Sequence, residues 1–175
     1  MSVLVYHPFD PVTRPSCQIE CWRQLAALPP EWELVNQLCV SSFDYSAGLA
    51  EVWDGDHDLI IVEHDNSPTP VMLAEMVACR EPVCTRPYQI GPASSHQLVT
   101  FPSVRNGPSL PRVGEMIPTA THSSIGCTKY SPAWRAMVGR PERQLWYHVE
   151  NSLNRLVAGN PGAWHVHWPM CGHGH

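Results

Sequence analysis

Four consecutive branched apolar residues, Leu59, Ile60, Ile61 and Val62, run directly into Glu63, His64 and Asp65. A short run that is apolar at every position predicts a strand buried on both faces. Such strands belong to sheets covered by helices, and ligands of those sheets sit at the strands' carboxyl ends. The sequence therefore sets two carboxylates, Glu63 and Asp65, where an α/β sheet opens into a crevice. Residues two apart in a strand face the same way, so both are expected to serve one ligand or one metal ion. Asn66, Ser67 and Pro68 follow at once and predict a tight turn at the carboxylates. A strand that merely ends in solvated charges is the plainer alternative.

The flanking sequence supplies the rest of such a sheet. Val3 to Tyr6 is a short apolar run ending at His7-Pro8, a first buried strand. Cys17, Cys21, Trp22, Leu25 and Leu28 have helical spacing, and Pro29-Pro30 stops that helix. Trp32 to Val40 predicts a second strand. Asp44 is expected to cap a helix through Tyr45, Leu49, Val52 and Trp53, with Gly55 as its stop. After the central strand, Thr69 is an N-cap with Pro70 at the first helical position. Val71, Leu73, Met76 and Val77 form that helix's apolar side. Pro82 ends it, and Val83-Cys84-Thr85 opens a further strand. Alternation of this kind predicts an α/β fold, a mostly parallel, Rossmann-like sheet with helices on both faces.

The second half is broken by prolines, 18 in all, so long helices are not expected there. Gln97 to Phe101 reads as a strand. Ser123 to Ser131 reads as strand and turn, with Ser131 capping a short helix over Pro132–Val138. Glu142 to Val157 has the clearest helical pattern, through Leu145, Trp146, Val149, Leu153, Leu156 and Val157. Trp164 to Pro169 alternates as a strand, and Cys171-Gly172-His173-Gly174-His175 forms a tail.

Composition narrows the classes. At 175 residues the chain is expected to be a single domain, with 1–90 and 91–175 as its two halves. Net charge is −5, and Lys129 is the only lysine. That argues against a broad basic face for nucleic acid, while a narrow nucleic-acid site stays open. The 7 cysteines form no CxxC pair, and several that sit in apolar segments read as buried free thiols. No signal peptide and no membrane-spanning run is visible, so a cytoplasmic protein with no membrane partner is expected.

Two carboxylates around one residue at a strand end suit a hard divalent cation, Mn²⁺ or Mg²⁺, which keeps waters and substrate phosphates in its shell. An E-x-D triplet alone is weak; its position after a buried strand is what gives it weight. His165 and His167 share a strand face, and His173 and His175 are likewise two apart. Each pair could serve a transition-metal ion. Core packing and a frayed tail are the plain readings. Cys171, His173 and His175 could also form a zinc site, although the usual spacings are absent. Glu150, beside the apolar stripe of its helix, is a candidate general base, against the commoner reading of a solvated glutamate. Tyr45 and Trp53 read as core, with stacking on a nucleobase as the functional option. The chain has no G-x-G-x-x-G, no P-loop and no G-x-S-x-G.

The segment Asp44-Tyr45-Ser46-Ala47-Gly48-Leu49-Ala50, leading through Trp53 into Leu59–Asp65, resembles the nucleotide-sugar half of GT-A-type glycosyltransferases. There a helix precedes a buried strand that ends in a D-x-D-like motif. Gly126–Ser131 resembles their acceptor-side segment. The closing His-rich strand is similar to the place where many of them supply a C-terminal histidine to the metal. The chain looks like a compact member, of phage or actinobacterial type.

The resemblance implies a single GT-A-like domain and a metal-dependent transfer of sugar from a nucleoside-diphosphate donor to an acceptor hydroxyl. Asp65 would bind the cation that bridges the diphosphate, and Glu63 would contact the ribose or the metal shell. His173 or His175 would complete the metal site, with His165 and His167 as substitutes. Pro8 and Tyr45 would lie near the base, and Glu150 would act as catalytic base. The departure is Glu63 where the motif begins with Asp. The acceptor stays open, a modified nucleic-acid base or a small glycan among the options. The competing readings are a metal-dependent hydrolase or nucleotidyltransferase, and a non-catalytic binding module stabilised by zinc.

Overall fold

The computed structural model describes residues 2–10, 12, 15–41, 43–86, 116–118, 125–141, 149, 153, 163–167 and 171–173. The elements follow in order: β1 (Ser2–Phe9), α1 (Pro15–Leu25), β2 (Glu33–Leu38), α2 (Asp44–Val52), β3 (His57–Val62), β4 (Asn66–Ser67), α3 (Pro70–Ala78) and β5 (Val83–Thr85). Then come β6 (Met116–Pro118), β7 (Cys127–Tyr130), α4 (Pro132–Val138), β8 (Ala163–Val166) and β9 (Gly172–His173).

Local chemistry explains most helix ends. The Thr69 hydroxyl accepts from the Met72 N–H at 3.3 Å, with Pro70 in the first turn of α3. Ser131 does the same for Trp134 at the start of α4. Asp44 departs from its expected role. It lies inside the first turn of α2, Phe43 precedes the helix, and no side chain caps it. Its Oδ2 instead accepts the N–H groups of Val40 and Ser41, at 2.9 and 2.7 Å. Asp44 therefore folds the β2–α2 loop back on itself. Those donated hydrogen bonds hold its carboxyl below the usual carboxylate range.

Seven strands form one sheet in the order β2-β1-β3-β7-β5-β8-β6. β1 runs parallel to β2 and β3, and β5 runs parallel to β8. β7 is antiparallel to both β3 and β5, so those two share a direction. β6 is antiparallel to β8 at the far edge. Five strands thus point one way, as the sequence predicts. The antiparallel β7 between β3 and β5 is not visible in the alternation of the first ninety residues.

Side chains of β3 alternate between two cores, and Leu59, Ile60, Ile61 and Val62 are all fully buried. Leu59 and Ile61 join Leu4 and Tyr6 against Tyr45 and Leu49 of α2 and Trp134 of α4. Ile60 and Val62 join Val3 and Val5 against Cys21 and Leu25 of α1 and Leu73 and Met76 of α3. Each such side chain contributes about 1.5–3 kcal/mol of burial free energy. Trp53 is buried among Tyr130 and Trp134, so it is core. Val149 and Leu153, from the predicted helix 142–157, are helical and fully buried. The rest of that helix, including Glu150, lies outside the described residues, as does the strand expected at 97–101.

α1 packs on one face of the sheet and α2 on the other. The chain leaves β1 in one direction for β2 and returns to the opposite side of β1 for β3. That reversal puts the switch point between β1 and β3, where open α/β sheets leave room for a ligand.

Candidate functional site

A cleft of about 460 Å³ opens at this switch point. The end of β1 gives it Pro8, Phe9 and Asp10, and the loop after β2 gives Cys39, Val40 and Ser41. The first turn of α2 adds Tyr45, and the segment after β3 adds Glu63, His64 and Asp65. Four residues singled out in the sequence, Pro8, Tyr45, Glu63 and Asp65, therefore meet at one cavity.

The carboxylates reach it by a route other than strand alternation. β3 ends at Val62, and the Asn66 N–H donates to the Glu63 carbonyl at 2.9 Å, closing a turn over 63–66. The Glu63 N–H is anchored on the Gly126 carbonyl at 2.9 Å. The turn, not the strand pleat, presents both residues to the cleft. Asp65 Oδ1 accepts from the Asn66 side-chain amide at 3.0 Å. Glu63 Oε1 accepts the Tyr45 hydroxyl at 3.0 Å. Burial, then the Glu63 charge, raise the Tyr45 phenol well above its ordinary range, so it stays a donor. Tyr45 is itself held by Tyr6, whose hydroxyl donates to the Tyr45 carbonyl at 2.7 Å.

Behind the cleft, His7 of β1 is fully buried, with Nδ1 2.8 Å from the Val62 carbonyl. Only a protonated Nδ1 can donate there, so Nε2 is the bare nitrogen. Burial lowers the His7 pKa to about 4. Cys39, on the cleft wall, has its thiol raised to about 11, chiefly by burial.

The histidines separate. β9 pairs antiparallel with β4, and Asn66 stands opposite His173. Cys171 supports this ribbon from a buried position, its thiol 3.4 Å from Asn66 Oδ1. The backbone of His173 thus runs beside the carboxylate turn. His165 lies in β8 and His167 just beyond it, near Cys79 and Cys84. His175 lies outside the described residues. Asp10, His64 and the Val40–Ser41 wall are cleft residues that the sequence did not single out. His64 could have been found from its place between the two acids. The others come from strand ends that only the assembled sheet brings together.

Three of the ten lining residues are carboxylates, Asp10, Glu63 and Asp65, and none is Lys or Arg. An anionic ligand could enter only with a cation to offset that charge. Oxygen donors of this kind fit a hard divalent ion, which the E-x-D segment was expected to bind.

The mostly parallel sheet, helices on both faces and cleft at the switch point form an α/β fold of GT-A-like type. No protein-family model and no curated protein matches the chain in sequence. Among solved structures it is similar to S. aureus TarS 1–349, with a TM-score of 0.59 at 12% identity over 98% of this chain. It is also similar to A197 from STIV, with a TM-score of 0.57 at 11% identity over 95% of this chain and 81% of that one. The chain spans 59% of the TarS structure's length. At such identities the likeness concerns the fold. No helix among the described residues is long and apolar enough to cross a membrane.

Proposed function

We propose that the cleft binds a nucleoside-diphosphate sugar together with Mn²⁺ or Mg²⁺ and that the chain transfers the sugar to an acceptor hydroxyl. The observation that carries this reading is the lining of the cleft: three carboxylates and no cationic side chain, in a GT-A-like fold. A diphosphate is repelled by such a wall unless a cation accompanies it. The cation would neutralise charge on the departing nucleoside diphosphate.

The chain's own residues divide the remaining work. Asp65 is the principal cation ligand. Glu63, steadied by the Tyr45 hydroxyl, faces the ribose or the ion's water shell. A carboxylate has about four lone-pair sites, so accepting from Tyr45 leaves it able to accept elsewhere. Pro8 and Tyr45 flank the base, and His173, opposite Asn66 in the β4–β9 register, or His175 would complete the metal site. Glu150 is assigned the proton of the acceptor hydroxyl, on the strength of the family resemblance. The acceptor class is left to product analysis.

The test is thermal stabilisation of the chain by UDP-, GDP-, CDP- and TDP-sugars with and without Mn²⁺. One donor should raise the melting temperature only when Mn²⁺ is present, and Asp65→Ala should abolish that shift. If Asp65→Ala binds donor and Mn²⁺ like the parent, the assignment is wrong. Release of free sugar or pyrophosphate in place of a sugar–acceptor product would point to a hydrolase or nucleotidyltransferase.

A further inference from the structure

Away from the cleft, Cys79, Cys84 and His167 bring two sulfurs and an imidazole nitrogen within 4.8 Å of one another. Three separate elements deliver them. Cys79 closes α3, its N–H donating to the Glu75 and Met76 carbonyls at 3.2 and 3.3 Å. Cys84 is the central residue of β5 and is fully buried. His167 follows β8, and its N–H donates to the Thr85 carbonyl at 2.9 Å, which fixes it beside β5. Cys84 also stands opposite His165 across the β5–β8 ladder.

We propose that Cys79, Cys84 and His167 bind one Zn²⁺ ion. Ligands of a tetrahedral ion with Zn–S near 2.3 Å and Zn–N near 2.0 Å lie roughly 3.5–3.8 Å apart. The three donor atoms lie within 4.8 Å of one another, so a small side-chain adjustment brings them to that spacing. Two sulfurs and one imidazole form a soft donor set, which selects Zn²⁺ over the Mn²⁺ or Mg²⁺ suited to carboxylates. Cys79 and His167 are half-buried and Cys84 is buried, so the site lies just beneath the surface, and a water could supply the fourth ligand.

The Lys129 ammonium donates to the Cys79 carbonyl at 2.7 Å and so holds the end of α3 against β7. Zinc uptake displaces one proton from each thiol, so two protons leave per ion, and two thiolates offset the ion's charge. The ion would tie the end of α3, the middle of β5 and the segment after β8 into one unit. None of this depends on the transferase reading, since no ligand of the zinc site lines the cleft.

The experiment is metal analysis of the full chain purified without chelator, followed by Co²⁺ titration of the metal-free chain. The expected result is about one zinc per chain, a sulfur-to-cobalt absorption band and release of two protons per ion. Cys79→Ser and His167→Ala should each weaken Zn²⁺ binding at least tenfold, while Asp65→Ala keeps the zinc. Zinc should also shield Cys79 and Cys84 of the unaltered chain from alkylation, which keeps the test independent of how the variants fold. Three results would overturn the proposal. One is a folded parent with neither zinc nor the cobalt–thiolate band. The second is a band that survives Cys79→Ser but is lost in Cys171→Ser. The third is a Cys79–Cys84 disulfide in chain purified without reductant.

Discussion

Gly48 has no room for a side chain. A Cβ there would stand 2.6 Å from Gln37 Oε1 and 2.7 Å from the Tyr6 hydroxyl. Gln37 can swing aside, but Tyr6 is fully buried and its hydroxyl is engaged by Tyr45. Gly48→Ala should therefore cost about 1–3 kcal/mol in urea unfolding, the range of overpacked cores. A variant as stable as the parent would mean that the β1–α2 contact yields more readily than its packing suggests. Gly48 belongs to the segment that resembles the glycosyltransferases, yet only the fold gives the physical reason for a glycine there. At this scale the sequence was readable wherever the chemistry is local. Thr69 and Ser131 cap their helices because the groups they satisfy lie three residues away. Asp44 was misread because the N–H groups of Val40 and Ser41 lie upstream, and choosing between them and the helix's own donors depends on the loop's path.

Arg135 binds elements together. It is buried at the heart of α4, and its guanidinium donates to the carbonyls of Trp53, His57, Gly55 (3.3 Å) and Val52 (3.5 Å). Those carbonyls belong to the α2–β3 connection, where Gly55 adopts a φ of 124° that suits glycine. The cation also sits 6.0 Å from the centre of the Trp53 ring. Arg135→Met fills similar space but leaves the buried Trp53 carbonyl without its arginine donor. A buried acceptor left in that way costs about 1–3 kcal/mol, and a loss of that size is expected. Amide exchange of residues 53–57 should speed up in the same variant. Unfolding within about 1 kcal/mol of the parent would show that the clamp contributes little. Nothing in α4's sequence announces this role, since an arginine on a short helix ordinarily points to solvent. The placement of β7 was hidden for the same reason. Cys127–Tyr130 is recognisable as a strand, but its insertion between β3 and β5 is a long-range pairing that no local pattern encodes.

Across the molecule, buried titratable groups of opposite sign govern the response to acid. His7 has a folded pKa near 4 against 6.5 when exposed, mainly from burial, with the Val62 carbonyl working the other way and His64 adding a little. The unfolded chain then binds the extra proton between about pH 6.5 and 4, so stability falls as pH drops through that window. A shift of that size is worth roughly 3 kcal/mol at its full extent. Asp58 acts in the opposite sense. Its carboxyl oxygens are buried without hydrogen-bond partners among the described residues, and burial raises its pKa against the pull of Lys129 and Arg135. Protonating Asp58 therefore favours the fold and offsets part of the loss. Urea midpoints measured from pH 7 to 4 should fall for the parent and fall less for His7→Gln. Equal slopes would remove His7 from the account. The sheet's first half was legible because each strand and helix there satisfies its own period, and Glu63 and Asp65 were legible as residues at a strand's end, although a turn and not the pleat presents them to the cleft. The walls built from Asp10, Val40 and Ser41 depend on where three strand ends meet. One corner of the cleft has a further consequence. The carboxylate turn is braced through Asn66 by Cys171, a partner 105 positions further along the chain. A nascent polypeptide can therefore assemble β1, β2 and β3 well before the brace leaves the ribosome. This corner of the cleft is accordingly among the later parts of the molecule to mature during synthesis, after the sheet on which it rests.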